Sequence, residues 1–125
     1  MKISVPISVG ELLDKISILD IKLRRIDDKQ KLRYVKEEYA ELICVAEKFE
    51  GAQLFIDRLI EVNGVIWDIE DKIRKKEKAN EFDADFIVLS RSIYCNNDKR
   101  FKIKNEINEK FGSCIREQKK YEQYL

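Results

Sequence analysis

Histidine is missing altogether from this 125-residue chain. Its absence removes the commonest zinc ligand, the usual general base near neutral pH, and every Ser-His-Asp or Cys-His nucleophile system. Turn-forming residues are nearly as scarce, with one proline and four glycines. A β-sandwich needs a turn about every eight to twelve residues, and this chain cannot supply them. Cys44, Cys95 and Cys114 are odd in number and have no metal-ligand or redox spacing. Each falls in an apolar-periodic stretch, so buried, reduced thiols are expected. Also missing are a membrane-spanning apolar run and a signal-peptide core, so a cytoplasmic location is expected. Neither sign of charge dominates: 25 Lys and Arg face 24 Asp and Glu. The nearest thing to a basic patch, Lys72, Arg74, Lys75, Lys76 and Lys78, is interrupted by Asp71 and Glu77. It reads as a solvated helix face, so neither nucleic acid nor membrane is expected as a partner.

What the chain has in abundance is charge. Charged residues make up 39% of it, against about a quarter in an average domain. Charge at this level with few turns favours long, solvent-facing helices. The length suits one domain able to bury a core without disulfides or metal. The expected fold is therefore all-α, an antiparallel bundle of about five helices over residues 8–125, preceded by a short extended arm over residues 1–7.

In the arm, Ile3, Val5 and Ile7 alternate with polar or small residues and share one face, and Pro6 keeps Val5 extended. No second strand is evident. The arm must pack over the helices or pair with a partner's copy, which makes a homodimer the expected assembly. Ser8 then stands as an N-cap with Glu11 three residues on, the pattern of a capping box. Leu12, Ile16, Leu19, Leu23 and Ile26 follow at three-four spacing. Asp27 or Asp28 ends this helix or caps the next.

A second helix is expected through Leu32, Val35, Tyr39, Leu42, Ala46 and Phe49, closed by Gly51. A third carries Phe55, Leu59, Val62, Ile66, Ile69 and Ile73. Asn63-Gly64 lies inside it, but the seam keeps its phase across the pair, so one long helix is preferred over a turn. Asp83 caps a fourth helix with Phe86, Leu89 and Ile93, which Asn96-Asn97-Asp98 is expected to end. A fifth would run through Ile107, Phe111, Cys114, Gln118, Tyr121 and Leu125, with Gly112 marking a close approach.

Candidate chemistry concentrates on the third helix. Asn63, Trp67, Glu70 and Arg74 fall four, three and four apart on one stripe, with Asp71 one step round. The only tryptophan offers an apolar wall, Arg74 can hold an anion, and Glu70 or Asp71 can orient it or accept ligand hydroxyls. Alternatively, Trp67 is a core-edge residue among ordinary helix-face charges. The fourth helix offers Arg91, Tyr94 and Asn97, with Asp98 and Arg100 beyond. In a hairpin of the two helices, Arg91 and Tyr94 would approach Trp67 and Glu70, either as a ligand pocket or as a closed Glu70–Arg91 pair. Near the first cap, capping accounts for Glu11, and Asp14 and Lys15 are expected to face solvent.

Enzyme templates fit poorly. The chain has no Walker A loop, G-x-G-x-x-G or nucleophile elbow. Helical nucleotide pyrophosphohydrolases need an E-x-x-E pair and then an E-x-x-D pair. Glu38 and Glu41 match the first, but position 73, three after Glu70, is isoleucine. The order of the helical chorismate mutase motif is also absent.

Three segments carry a resemblance: Val5-Pro6-Ile7-Ser8-Val9-Gly10-Glu11-Leu12-Leu13-Asp14-Lys15-Ile16, Asn63 through Arg74, and Arg91-Ser92-Ile93-Tyr94 with Asn97-Asp98-Lys99-Arg100. Together they resemble a family of small bacterial proteins, a domain of unknown function that starts V-P-x-S-x-G-E-L-x-D-K. The resemblance covers nearly the whole chain and implies fold boundaries rather than an activity. The expected function is a non-catalytic binding or assembly module. Its candidate ligand-binding residues are Asn63, Trp67, Glu70, Asp71, Arg74, Arg91, Tyr94 and Asn97, and its ligand a small anion or sugar-containing molecule. No cofactor or metal is expected. The alternatives are a histidine-free enzyme using carboxylate and arginine chemistry, with Glu70 and Asp71 as metal ligands or acid–base groups, and a purely structural interaction bundle.

Overall fold

Three side-chain caps set where the helices start. In the computed structural model, which describes residues 1–124, the Ser8 hydroxyl accepts from Glu11 N, Asp28 from Lys31 N and Asp83 from Phe86 N. Each satisfies an amide that the first helical turn leaves without a partner. The helices that follow are α1 (Val9–Arg25), α2 (Lys29–Ala46), α3 (Ala52–Lys78) and α4 (Ala84–Lys110). Short connections make the path up-down-up-down. Helix α1 is the centre, packing against α2 on one side and against the α3–α4 hairpin on the other. Leu13 and Ile16 are fully buried and meet Ile56, Leu59, Val62, Ile103 and Ile107 in one core.

Among the described residues there are four helices rather than five, and both causes are local. Asn96-Asn97-Asp98 does not end α4, because none of the three side chains is free to start a turn. Asn96 donates to the Ser92 carbonyl within the helix, while Asn97 and Asp98 accept from Arg100 and Tyr124. The helix runs instead to Lys110, is capped at Phe111 and stops before Gly112. There φ is 64°, Ser113 N reaches Asn108 O at 2.9 Å and Gly112 N reaches Glu109 O at 3.4 Å. That is a Schellman ending, so the expected fifth helix does not form. Gly112 is a helix terminator in open space, not a point of close helix approach. Leu125 lies outside the described residues.

Other expectations shift with this geometry. Asn63-Gly64 lies within an unbroken α3. Gly51, at φ 84°, does not close α2, which ends at Ala46, but stands immediately before α3. The cysteines are all free, yet Cys44 and Cys114 are exposed and Cys95 is half-buried. Cys114 owed its expected burial to a helix that is not there. The arm forms no strand and lies open, tethered by Lys2 to Glu41 at 3.0 Å. No helix among the described residues is long and apolar enough to cross a membrane.

Candidate functional site

The start of α1 is docked on the end of α4. Val9 N donates to the Ser113 hydroxyl at 3.2 Å and Gly10 N to Asn108 Oδ1 at 2.8 Å. With Glu11 N on Ser8, the first three amides of the helix are satisfied by side chains. The approach is close enough to require glycine at position 10. A Cβ there would stand 2.7 Å from the Lys104 carbonyl oxygen and 2.9 Å from Asn108 Oδ1.

A buried polar network continues from this junction. The Glu11 carboxylate takes the Lys104 ammonium at 2.8 Å, a long-range partner, and no return bond to Ser8 N completes a capping box among the described residues. Asp14 is buried rather than solvent-facing, and Lys15 is exposed. Asp14 lies 3.9 Å from Lys104 and accepts from Asn63 Nδ2 at 2.8 Å. The second Asn63 Nδ2 hydrogen goes to the Ser17 hydroxyl at 2.8 Å, and Ser17 in turn donates to the Asp14 carbonyl. Asn63 Oδ1 accepts from Arg100 at 3.1 Å, and Asn97 Oδ1 accepts from the same guanidinium at 2.6 Å. The Asn63 amide is thereby oriented by its partners.

Two pairings on α4 set the electrostatics. Burial pushes the Lys104 ammonium down, but the hydrogen bonds of Glu11 and Glu117 and the charge of Asp14 outweigh this and hold it above its ordinary value. Glu117 is held low, first by its bond to Lys104. Arg100 differs from Lys104 because both acceptors on it are neutral amides, and no carboxylate pairs with it among the described residues. Its charge is positioned without being neutralised.

Arg100 and Asn63 also form the inner end of a pocket of about 300 Å³ between α1, α3 and α4. Ile18, Ile21, Ile66 and Trp67 supply its apolar walls, and Glu70, Asp71 and Arg74 its charged rim. Arg25 stands 5.8 Å from the centre of the Trp67 ring and is ion-paired to Asp68, so the indole is braced from outside. The volume is at the lower end of the range of about 300–1,000 Å³ for small-molecule sites. Two larger hollows, of about 700 and 540 Å³, are more open than this one. Several of their charges are already engaged, Glu106 with Arg58 and Lys76 with Asp83.

The structure thus brings Asn63, Trp67, Glu70, Asp71 and Arg74 to one pocket and connects Asn97 to it through Arg100. Arg91 and Tyr94 are not brought there. Arg91 is exposed, and no bond or ion pair joins it to Glu70 among the described residues. Glu70 is 3.7 Å from Arg74 instead. Tyr94 stands edge-on to Tyr124, with ring centres 4.9 Å apart. Both residues stand on the exposed side of α4 and neither lines the pocket.

Sequence reasoning missed Ser17, Lys104 and Asn108, set Asp14 towards solvent, and placed Arg100 only at the margin. One signal was available. Asn97, Arg100, Lys104 and Asn108 are spaced three, four and four apart, a polar stripe beside Ile103 and Ile107. Assuming a break at residues 96–98 hides that phase.

Over residues 1–125 the sequence matches the family described as a family of unknown function (DUF6165). The chain belongs to that family. No curated protein and no solved structure shows a significant match to it. The V-P-x-S-x-G-E-L-x-D-K start of this DUF6165 member contains the cap, the contact glycine and the two acids of the polar network. Family membership assigns no chemistry to them. Among the described residues, no group of three or more Asp, Glu and Cys is placed to hold a metal ion.

Proposed function

We propose that this protein is a non-catalytic binding or assembly module that takes a small anionic or sugar-containing ligand between α1, α3 and α4. The observation that carries the reading is Arg100, a half-buried guanidinium held by two neutral amides at the inner end of a Trp67-walled pocket. A cation fixed in this way can add a charge-assisted, bidentate bond to an incoming carboxylate or phosphate without first breaking an ion pair. Trp67 supplies a flat apolar wall suited to a sugar ring or base, and Glu70 and Asp71 are rim acceptors for hydroxyls. Calorimetric titration of the full chain with hexose phosphates and nucleotides tests this. A ligand bound here loses about tenfold or more in affinity in Arg100→Gln and in Trp67→Ala. A ligand whose affinity neither substitution changes binds elsewhere, and the reading fails.

The assembly part of the proposal is a homodimer formed through the arm. Ile3 is 79% and Val5 64% exposed, on one face of an extended segment that pairs with no strand among the described residues. Light scattering on the eluted protein is expected to give twice the chain mass, and the single-chain mass for an Ile3→Asp, Val5→Asp variant. A wild-type chain that elutes as a monomer at every concentration removes this part and leaves the pocket untouched.

A further inference from the structure

Beyond Gly112 the chain forms a strap rather than a helix. Residues 113–124 fold back along α4, and their partners step towards the start of that helix. Arg116 pairs with Glu109 at 2.6 Å and Glu117 with Lys104 at 2.9 Å. Lys119 lies 5.0 Å over the Phe101 ring, and Tyr124 donates to Asp98 at 2.7 Å. After Ser113, no strap amide bonds to another backbone group among the described residues. Side chains alone hold the strap, and nearly all of its residues are exposed. A segment fastened this way opens far more readily than the helices beneath it.

Glu117 is the exception among these contacts. Its carboxylate sits on Lys104, whose side chain is only 10% exposed. Arg100 lies one helical turn earlier on the same face, and its charge also helps to hold the Glu117 carboxyl low. Two cations, one buried and one half-buried, are therefore stacked on one helix, and a loosely held segment delivers a carboxylate that bonds to Lys104 beside Glu11 while Arg100 keeps no ion pair of its own among the described residues.

We infer that Lys104 and Arg100 form an anion subsite, that Glu117 fills it as an internal ligand, and that the carboxylate or phosphate group of a bound ligand takes its place as the strap lifts. The inference rests on the reading of this face as a small-anion site and adds how that site is closed. The exchange keeps an anionic group on Lys104, because the ligand's carboxylate or phosphate arrives as the Glu117 carboxylate leaves. Glu11 and Asp14 stay in place throughout and keep Lys104 oriented.

The test uses the full chain, with inorganic phosphate and succinate as probes. By calorimetry, Glu117→Gln is expected to bind at least one of them about fivefold more tightly than wild type does, the gain from removing a competing ion pair. Adding Arg100→Gln to that variant abolishes the gain. In wild-type protein, the same anion sharpens the backbone NMR signals of residues 116–124 towards those of a free chain. Glu117→Ala reproduces the tighter binding, which guards against an effect peculiar to the glutamine. Equal affinity of wild type and Glu117→Gln for both probes overturns the proposal. Binding that leaves the strap signals unmoved also overturns it. If wild type binds an anion through Arg100 and Glu117→Gln gains nothing, the pocket reading survives and the strap is only a structural tail.

Discussion

Gly10 shows how a single residue can carry two opposed effects. Replacing a helical glycine with alanine ordinarily gains about 1 kcal/mol from backbone propensity. Here the new Cβ would meet the Lys104 carbonyl, a backbone atom that cannot swing aside. Overpacking of that kind costs about 1–3 kcal/mol, so Gly10→Ala is expected to lower stability, read as the denaturant midpoint. An unchanged or higher midpoint would mean that α1 and α4 are not in this contact. Asn63 supplies a second case. Asn63→Leu leaves Asp14, Ser17 and Arg100 without their shared partner, and about 1–3 kcal/mol of stability is expected to go for each polar group left buried and unpaired. Asn63 was legible as a stripe residue from its spacing to Trp67, Glu70 and Arg74. The partners that give it its role come from α1 and α4, and no spacing within α3 reveals them.

At the scale of elements, starts were easier to read than stops. Ser8 and Asp83 were legible as caps because a cap is settled within three residues of chain. The end of α4 was not. Asn96-Asn97-Asp98 has turn composition, but its side chains are engaged elsewhere, while Gly112 reads equally well as a cost inside a helix or as a stop after one. Gly112→Ala, at φ 64°, is expected to lose about 1–2 kcal/mol, with no gain in helical circular dichroism, since the strap beyond it is held in place by side chains. A gain in helicity would show that the fifth helix forms once the glycine is removed. The strap itself responds to pH. Glu117 is held below its ordinary value of 4.5, so its contribution is present above that value and fades as pH falls through its folded-state pKa. Lys104 is held above 10.5, so its contribution is full below that value and fades as pH rises through its own. Strap order, measured by heteronuclear NOE on residues 116–124, is expected to hold from about pH 4.5 to 10.5 and to fall on the acid side first. Order that persists at pH 2 would mean that the ion pair does not hold the strap.

For the whole molecule, the same sign applies to a set of surface carboxylates. Asp68 is held low by Arg25, Asp83 by the Phe86 amide and then Lys76, and Glu106 by Arg58. Each pairs elements that are distant in sequence or closes the α3–α4 hairpin. Together with Glu117 they predict a melting temperature that is flat near neutrality and declines as pH drops through and below 4.5. Glu106→Gln is expected to flatten part of that decline. All are exposed and screened by salt, so the decline should be gradual. An identical acid limb in Glu106→Gln and wild type would show that the Arg58 pair contributes nothing.

By itself, the sequence determined the helical class, the first turn of each capped helix, the unbroken course of α3 through Asn63-Gly64, and the stripe from Asn63 to Arg74. These follow from bonds and periodicities that close within a few residues. Tertiary structure alone decided that Gly10 is a contact glycine, that Glu11 reaches Lys104, that Asp14 is buried rather than solvent-facing, and that Arg100 lines the pocket while Arg91 does not. The bonds that join α1 to α4 and to Ser113 beyond it span 93, 98 and 104 positions. Only the packing of α1 against the α3–α4 hairpin brings such partners together, because no local pattern records which turn of one helix meets which turn of another.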